Sequence, residues 1–420
     1  MCFQKEKTIS LFGDFSGQPA SLYWPHEPRP PPAATAHAAA FDYHLFGTHV
    51  CFGDGVSALI LKELDALGCS RPAILAQDAM MRSAAFGTLS ACWSGLDHLR
   101  LPAVPRHSSV DVVETMAEKV RAFGADSLIA IGGGSVADSA KALALLLAEG
   151  GRLADHVTTF EPPATVRIPR RVRPQLPIIG IPTTASGAEA TSSFGVRRED
   201  GHKLMFWNRR VAAATLLIDP RLSADQPVAL LRDSAMNGIA HAAEALYSRG
   251  RSPVSDCIAV QAVRLFDVAL DSDSLEGHET RGAILQASHL AGLALSMARS
   301  CLHHAICHVV ASRQRLSHGA VNSAILPHAL AFNEAVAADA LRPALDAVNQ
   351  RARRPHAALS AWVRDLQQRH AMPARLSALG VPVDALESLA RGVMTERGLA
   401  LNPRPVVDAT EVLAILRAAF

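Results

Sequence analysis

The sequence is short of net charge, aromatic residues, paired cysteines and long apolar runs. Its 420 residues carry a formal net charge of +2. That leaves no strong field for nucleic acid or an anionic membrane surface. Aromatic residues make up 5% of the chain and form no stripe with basic residues, which excludes the usual platform for stacking bases. The seven cysteines are odd in number and contain no CxxC pair. Reduced, mostly buried thiols in a cytoplasmic protein are the expectation. No uninterrupted apolar stretch reaches the length of a membrane span. The opening residues, MCFQKEKTIS, are charged and lack the apolar core of a secretory signal.

What is present is a soluble composition, 49% hydrophobic and 19% charged, on a chain too long for one ordinary core. Residues 1–40 end in WPHEPRPPPAATAHAAA, a Pro- and Ala-rich stretch without period, and are expected to be a poorly ordered extension. From Phe41 the pattern alternates. THVCFGDG, PAILAQD, DSLIAIGGGS and LPIIGIPTT read as short buried strands. VSALILKELDALG, SSVDVVETMAEKVRAFGA and VADSAKALALLL between them read as helices. This β-α-β alternation predicts a parallel sheet with helices on both faces. After LLIDPRL, residues 216–222, strand signals almost vanish and Ala- and Leu-rich helices follow to Phe420. The fold class expected is α/β plus all-α. An α/β domain with a parallel sheet covers residues 41–222, and an all-helical domain covers residues 223–420.

Two small-residue loops end predicted strands. In IGGGSVADSAK, Gly132, Gly133 and Gly134 allow close backbone approach, Ser135 adds a hydroxyl, and a helix N-terminus follows. Together these suit a pyrophosphate. The spacing is not GxGxxG, and a plain tight turn is the competing reading. In PTTASGAEATS, Thr183, Thr184, Ser186 and Gly187 could line the same ligand. Asp78, at the end of an earlier strand, is either a ribose acceptor or a turn residue.

The second half holds most of the chemistry. MNGIAHAAEALY puts Asn237 and His241 on one helical face. CLHHAICHVVASRQRLSHG crowds His303, His304, His308 and His318 together. His304 and His308 share a face, and His303 points about 100° away. Each histidine alone is an ordinary core or surface residue; together with the upstream pair they suggest one shared site.

Taken in order, FGDG, IGGGSVADSAK, PTTASGAEAT, MNGIAHAAEALY, LHHAICHV, SHGAVNSAILPHALAFN and LNPRP resemble the iron-containing alcohol dehydrogenase superfamily, and within it the maleylacetate reductases. The resemblance runs from about Phe41 to the end. It implies a Rossmann-like domain, a helical domain of the dehydroquinate synthase-like kind, an active cleft between them, and a homodimer. NADH or NADPH is the implied cofactor. Gly132, Gly133, Gly134, Ser135, Asp138 and Lys141 match the family's first loop, and Thr183, Thr184 and Glu189 match its second. His241, His304 and His318 match three metal ligands of the dehydrogenases, and His308 matches an additional cleft histidine. The fourth ligand is an Asp in those enzymes and is Asn237 here, as in the reductases. Asp138, the long insertion over about 151–175 and the lack of a Gly-Gly after the histidines point back to the dehydrogenases.

An amide in place of a carboxylate leaves a divalent ion with two net positive charges among neutral imidazoles. That is costly in a partly buried cleft, although three-histidine zinc sites exist. The expectation is no tightly held iron or zinc, with a small dicarboxylate or carbonyl substrate meeting histidine directly. His241, His304 and His308 would surround the reacting oxygen, His318 would complete the wall, and Lys203, Arg249 and Arg251 would be carboxylate partners or plain surface charges. The function expected is reduction of maleylacetate to 3-oxoadipate in the breakdown of aromatic compounds. The alternatives are a metal-dependent alcohol dehydrogenase and a non-catalytic binding protein of the same fold. Asp78 favours NADH, because a 2′-phosphate would meet a like charge, with neighbouring Gln77 the other residue that could face the ribose.

Overall fold

The computed structural model describes residues 41, 43–45, 47–162, 165–272 and 275–420. The extension expected over residues 1–40 lies outside the described residues.

The N-terminal half is built on strands β1 (His49–Phe52), β2 (Pro72–Ala76), β3 (Leu99–Arg100), β4 (Ser127–Gly132), β7 (Ile178–Pro182) and β10 (Thr215–Ile218). They form one sheet in the order β1-β10-β7-β4-β2-β3, with every pairing parallel. Strand periodicity divides the side chains between two cores. Leu75 and Leu128 face one core, while Ile74, Ile129, Ile131 and Ile179 face the other. Helices α4 (Val110–Phe123) and α5 (Gly134–Glu149) cover the first face through Val113, Met116, Val120 and Leu143. Helices α1 (Ile60–Ala66), α2 (Asp78–Met81) and α3 (Ala84–Ser90) cover the second through Ile60, Leu64, Met80, Phe86 and Leu89. Each such side chain contributes about 2 kcal/mol on leaving water. Burial on both faces is why β2, β4 and β7 read as continuous apolar runs rather than alternating ones.

Two antiparallel hairpins interrupt the alternation: β5 (Thr159–Glu161) with β6 (Thr165–Arg167), and β8 (Ser193–Arg197) with β9 (Lys203–Trp207). The first occupies the basic stretch that has no period in the sequence. Its Phe160 packs on the core of the C-terminal half.

The last strand ends at Ile218, and the helical half starts with α6 (Val228–Tyr247). It continues through α7 (Pro253–Leu270), α8 (His278–Ala298), α9 (Leu302–Arg313), α10 (His318–Asn349), α11 (Leu359–Arg369), α12 (Leu386–Val393) and α13 (Ala409–Ala418). Helix α6 is buried without a break from Ser234 to Tyr247. A helix covered on all sides is the centre of its domain. Its alanines let α7, α8 and α10 close in around it. Among the described residues no helix is long and apolar enough to cross a membrane.

The two halves meet where the loop after β7 enters the helices. Ala185 belongs to the α6–α8 core, and its N–H donates to Ser234 Oγ at 3.1 Å. Gly187 (φ 66°) lies backbone to backbone on Gly292 of α8. A Cβ on Gly292 would overlap the Gly187 carbonyl, whose carbon lies 3.0 Å from that position. Gly292→Ala is expected to lower stability by about 1–3 kcal/mol, read as a fall in thermal midpoint. Val50→Ala, on a partly exposed edge strand, is expected to change it far less.

Candidate active site

Strand β4 runs into the glycine loop, and the space above it depends on missing side chains. A Cβ on Gly132 (φ 155°) would lie 2.6 Å from Val136 Cγ2, and one on Gly133 would lie 2.8 Å from Thr184 Oγ1. A Cβ on Gly134 would crowd Ser186 Oγ at 3.4 Å. No side chain caps α5, so its N-terminus keeps the free donors and dipole that favour a phosphate. Thr183 N–H donates to the Gly132 carbonyl at 3.1 Å, joining the two loops. These features fit a dinucleotide pyrophosphate. Gln77, not its neighbour, touches this loop: its Nε2 donates to Ser135 Oγ at 3.0 Å. Asp78 turns outward and pairs with Arg82 on the surface.

Asp138 and Lys141 lie beneath the loops. Lys141 Nζ donates to the Ala188 carbonyl at 2.5 Å and to Thr191 Oγ1 at 3.2 Å. Asp138 Oδ2 accepts from Gly195 N–H at 3.1 Å. Burial pushes the Lys141 ammonium down and the Asp138 carboxyl up, each opposed by the other's charge. Burial also raises nearby Glu189 to about 7. Lys141 holds the second loop in place, and Asp138 holds the β8–β9 hairpin.

Across the cleft, α6 carries Asn237, His241 and Glu244, α9 carries His303, His304 and His308, and α10 begins with His318. Ring centroids are 4.8 Å apart for His241–His304, 6.1 Å for His304–His318 and 5.6 Å for His308–His318. Glu244 organises the wall. Its Oε2 lies 2.8 Å from His304 Nδ1 and accepts from Cys301 N–H at 2.8 Å; its Oε1 accepts from His304 N–H at 3.2 Å and Tyr247 OH at 3.3 Å. These donors and the facing histidines hold Glu244 below the usual carboxylate range despite burial. His304 Nε2 and His241 Nδ1 are buried without a hydrogen-bond partner. Burial, with mutual repulsion and the Lys203 or Lys141 charge, pushes His241, His308 and His318 well below 6.5. The wall is therefore mostly neutral imidazole at pH 7. His303 turns away, with Nε2 3.2 Å from the Asn322 carbonyl.

Asn237 is fully engaged. Its Nδ2 donates to the Ser186 carbonyl at 2.7 Å and lies 3.3 Å from His241 Nε2. Its Oδ1 accepts from Asn322 Nδ2 at 2.6 Å. A carboxylate oxygen in the Nδ2 position would face a carbonyl oxygen. His241, His304 and His318 do not converge as a three-donor group; the two such groups among the described residues are His49–Cys51–Glu63 and Glu244–His303–His304. In the second, Glu244 and His303 are already hydrogen-bonded within the protein. The carboxylate among the four ligands of the dehydrogenases is absent here, its place held by a hydrogen-bonded amide, while His241 Nδ1 and His304 Nε2 stay without a partner.

Of the three cations considered for a substrate carboxylate, Lys203 is half-buried and acts on His308 and His318. Arg251 is held by Asp256 at 2.6 Å on the surface. The Arg249 N–H donates to the Leu401 carbonyl, with no side-chain bond to the histidine wall among the described residues. Sequence reasoning missed Glu244, Asn322 and Glu396. Glu244 alone had a local signal, one helical turn past His241 in a buried stretch.

Two outcomes are expected. Asn237→Asp sets a buried charge against the Ser186 carbonyl and should cost about 3 kcal/mol. Added zinc should recover that loss in thermal melts of the variant but leave the wild type unmoved. Second, burial holds His289 and His303 at about 4, so the unfolded chain binds more protons between about pH 6.5 and 4. Their contribution is intact above pH 6.5 and is lost as pH falls through that window. Melts from pH 7 to 4 should show a continuous decline, shallower in His289→Gln.

With this geometry in view, comparison with known proteins is direct. The family description "Iron-containing alcohol dehydrogenase" matches residues 47–220, and "Fe-containing alcohol dehydrogenase family, C-terminal" matches residues 232–420. The maleylacetate reductase of Rhizobium sp. (strain MTP-10005) is 30% identical over 387 residues, covering 90% of this chain and 97% of that protein. The NAD-dependent methanol dehydrogenase of Bacillus methanolicus is 27% identical over 386 residues, covering 88% and 97%. The crystal structure of maleylacetate reductase from Agrobacterium tumefaciens superposes with a TM-score of 0.74 at 28% identity, covering 91% and 98%. The matches run along nearly the whole length of the described chain, and the chain belongs to the iron-containing alcohol dehydrogenase family of oxidoreductases.

Proposed function

We propose that the protein is a maleylacetate reductase, transferring hydride from NADH or NADPH to a conjugated oxo-dicarboxylate and giving 3-oxoadipate. The observation that carries this is Asn237: the carboxylate position of the dehydrogenases holds an amide bonded on both sides, facing neutral histidines. The similarity to maleylacetate reductases supports it.

A bound nicotinamide would supply the hydride. The glycine loop and α5 N-terminus would hold its pyrophosphate, with Gln77 and Ser135 beside it. Hydride addition to the C=C bond moves an electron pair onto the conjugated ketone oxygen. That enolate is stabilised by an N–H aimed at it and is then protonated. A simple aldehyde has no such electron sink and depends more on a Lewis acid. The chain therefore needs a proton donor in the histidine wall more than a cation. His304 is poorly placed for donation when neutral: with Nδ1–H given to ionised Glu244, its Nε2 is a lone pair. His308, His241 and His318 are left, and Lys203 contributes positive charge on the same side.

The test follows nicotinamide oxidation at 340 nm with maleylacetate, with and without a strong chelator. Turnover should survive the chelator. His308→Ala should lower kcat by about 10²-fold or more, and His304→Ala should lower it as well. Full wild-type rates in both variants would rule the histidine wall out of the reaction. Turnover lost to the chelator and restored by iron or zinc would instead mean that Asn237 sits beside a working metal ion.

A further inference from the structure

Away from the cleft, three different metal-binding side chains converge at the outer edge of the sheet. Strand β1 pairs with β10 alone, and β10 and β7 separate it from β4 and its glycine loop, about 14 Å at the usual strand spacing. His49 and Cys51, two apart on β1, share one face of the strand. That face packs toward α1, which supplies Glu63. His49 Nδ1 lies 2.9 Å from Glu63 Oε2, and Cys51 Sγ lies 3.6 Å from His49 Nε2. One ligand atom from each of the three lies within 4.8 Å of the other two.

Glu63 is the unusual member. Its side chain is 5% exposed. Among the described residues its carboxylate is bonded only by His49 and the Thr215 hydroxyl, both at Oε2. Burial works against its charge, but these two hydrogen bonds, with the His49 and Lys62 charges, hold it below the usual carboxylate range. Burial and the Glu63 charge push the Cys51 thiol up, against Lys62. A cation between carboxylate and thiol favours the ionised form of both. The group beside the histidine wall differs. There Glu244 accepts from backbone N–H groups and His303 faces the Asn322 carbonyl, so both are committed outside their group. At the sheet edge every bond but that of Thr215 runs between the three members. An ion replaces those bonds without leaving a buried group unpaired.

We propose that His49, Cys51 and Glu63 bind one zinc ion, with water as the fourth ligand, and that this ion clips edge strand β1 to α1. Thiolate, imidazole and carboxylate together select zinc over magnesium or calcium, which take oxygen ligands. Three protein ligands and a water complete a tetrahedral shell, whose donors sit about 3.3–3.7 Å apart. Closing the group therefore takes a shift of roughly 1 Å. The His49 side chain is 59% exposed, so its ring is free to turn and the ion enters from solvent. On binding, the Cys51 S–H bond breaks, a sulfur–zinc bond forms and the proton leaves to water. The clip goes beyond the reductase function and does not depend on it.

The experiment measures the zinc content of the full-length protein as isolated, and the absorption of its cobalt(II)-substituted form. It compares wild type with Cys51→Ser, His49→Gln, Glu63→Gln and, as the control for the cleft, His304→Ala. Wild type and His304→Ala should carry one zinc ion per chain, and their cobalt forms should show the near-ultraviolet band of a cobalt-bound thiolate. Cys51→Ser should lose both, although the other cysteines remain. His49→Gln and Glu63→Gln should bind cobalt at least tenfold more weakly, since losing a ligand costs no less than losing a supporting hydrogen bond, about tenfold. Stripping the ion with a chelator should lower the thermal midpoint of the wild type and leave that of Cys51→Ser unmoved. A wild-type cobalt form without the thiolate band, or a band that persists in Cys51→Ser, overturns the proposal. Zinc that is lost in His304→Ala and kept in Cys51→Ser also overturns it, and places the ion in the cleft instead.

Discussion

The cleft depends on one small-residue joint. The loop from Thr183 to Thr191 leaves the sheet, enters the helical half at Ala185 and lies against α8 through Gly187 and Gly292. The same loop offers the Ser186 carbonyl to Asn237 and receives Lys141 from below. Glycine and alanine there are a geometric requirement: backbone touches backbone, and any Cβ at Gly292 would push the halves apart. Through Ser186 this loop meets the glycine loop at Gly134, and through Gly187 it meets His241 of the histidine wall.

Electrostatics explain why the wall is polar without being strongly charged. Glu244 is fully buried and ionised, supported by two backbone donors, a tyrosine and His304. A buried charge of that kind is stable only with such complete pairing. His241 stacks on His304 and His308 on His318; burial, the neighbouring rings and the Lys203 or Lys141 charge make protonating His241, His308 or His318 unfavourable. Neutral rings are good hydrogen-bond partners for a developing oxyanion, provided a nearby group fixes which nitrogen holds the proton. Glu244 stands in position to do that for His304.

Asn237 links both themes. In the dehydrogenase pattern this position supplies negative charge to a cation. Here its amide donates to the cofactor-side loop and accepts from Asn322, which converts a ligand position into a structural bridge between the halves. Asp138 and Lys141 show a similar gap between motif and geometry. They belong to a loop signature by position, yet Asp138 supports the neighbouring hairpin and Lys141 the second loop.

The sequence by itself determined the parallel sheet, the helical second half, the two loops and the grouping of histidines. All of these follow from local rules: buried strands read as apolar runs, glycines cluster where a strand turns into a helix, and residues four apart share a helical face. The tertiary structure alone decided which neighbour faces the ligand and what completes the site. Gln77 rather than Asp78 meets Ser135 because α2 begins at Asp78 and turns that carboxylate outward to Arg82. Asn322 and Glu396 reach Asn237 and His308 from helices and loops distant in the chain. No periodicity encodes such approaches; they arise when separately folded segments pack, and packing assigns each histidine its partner and each amide its orientation.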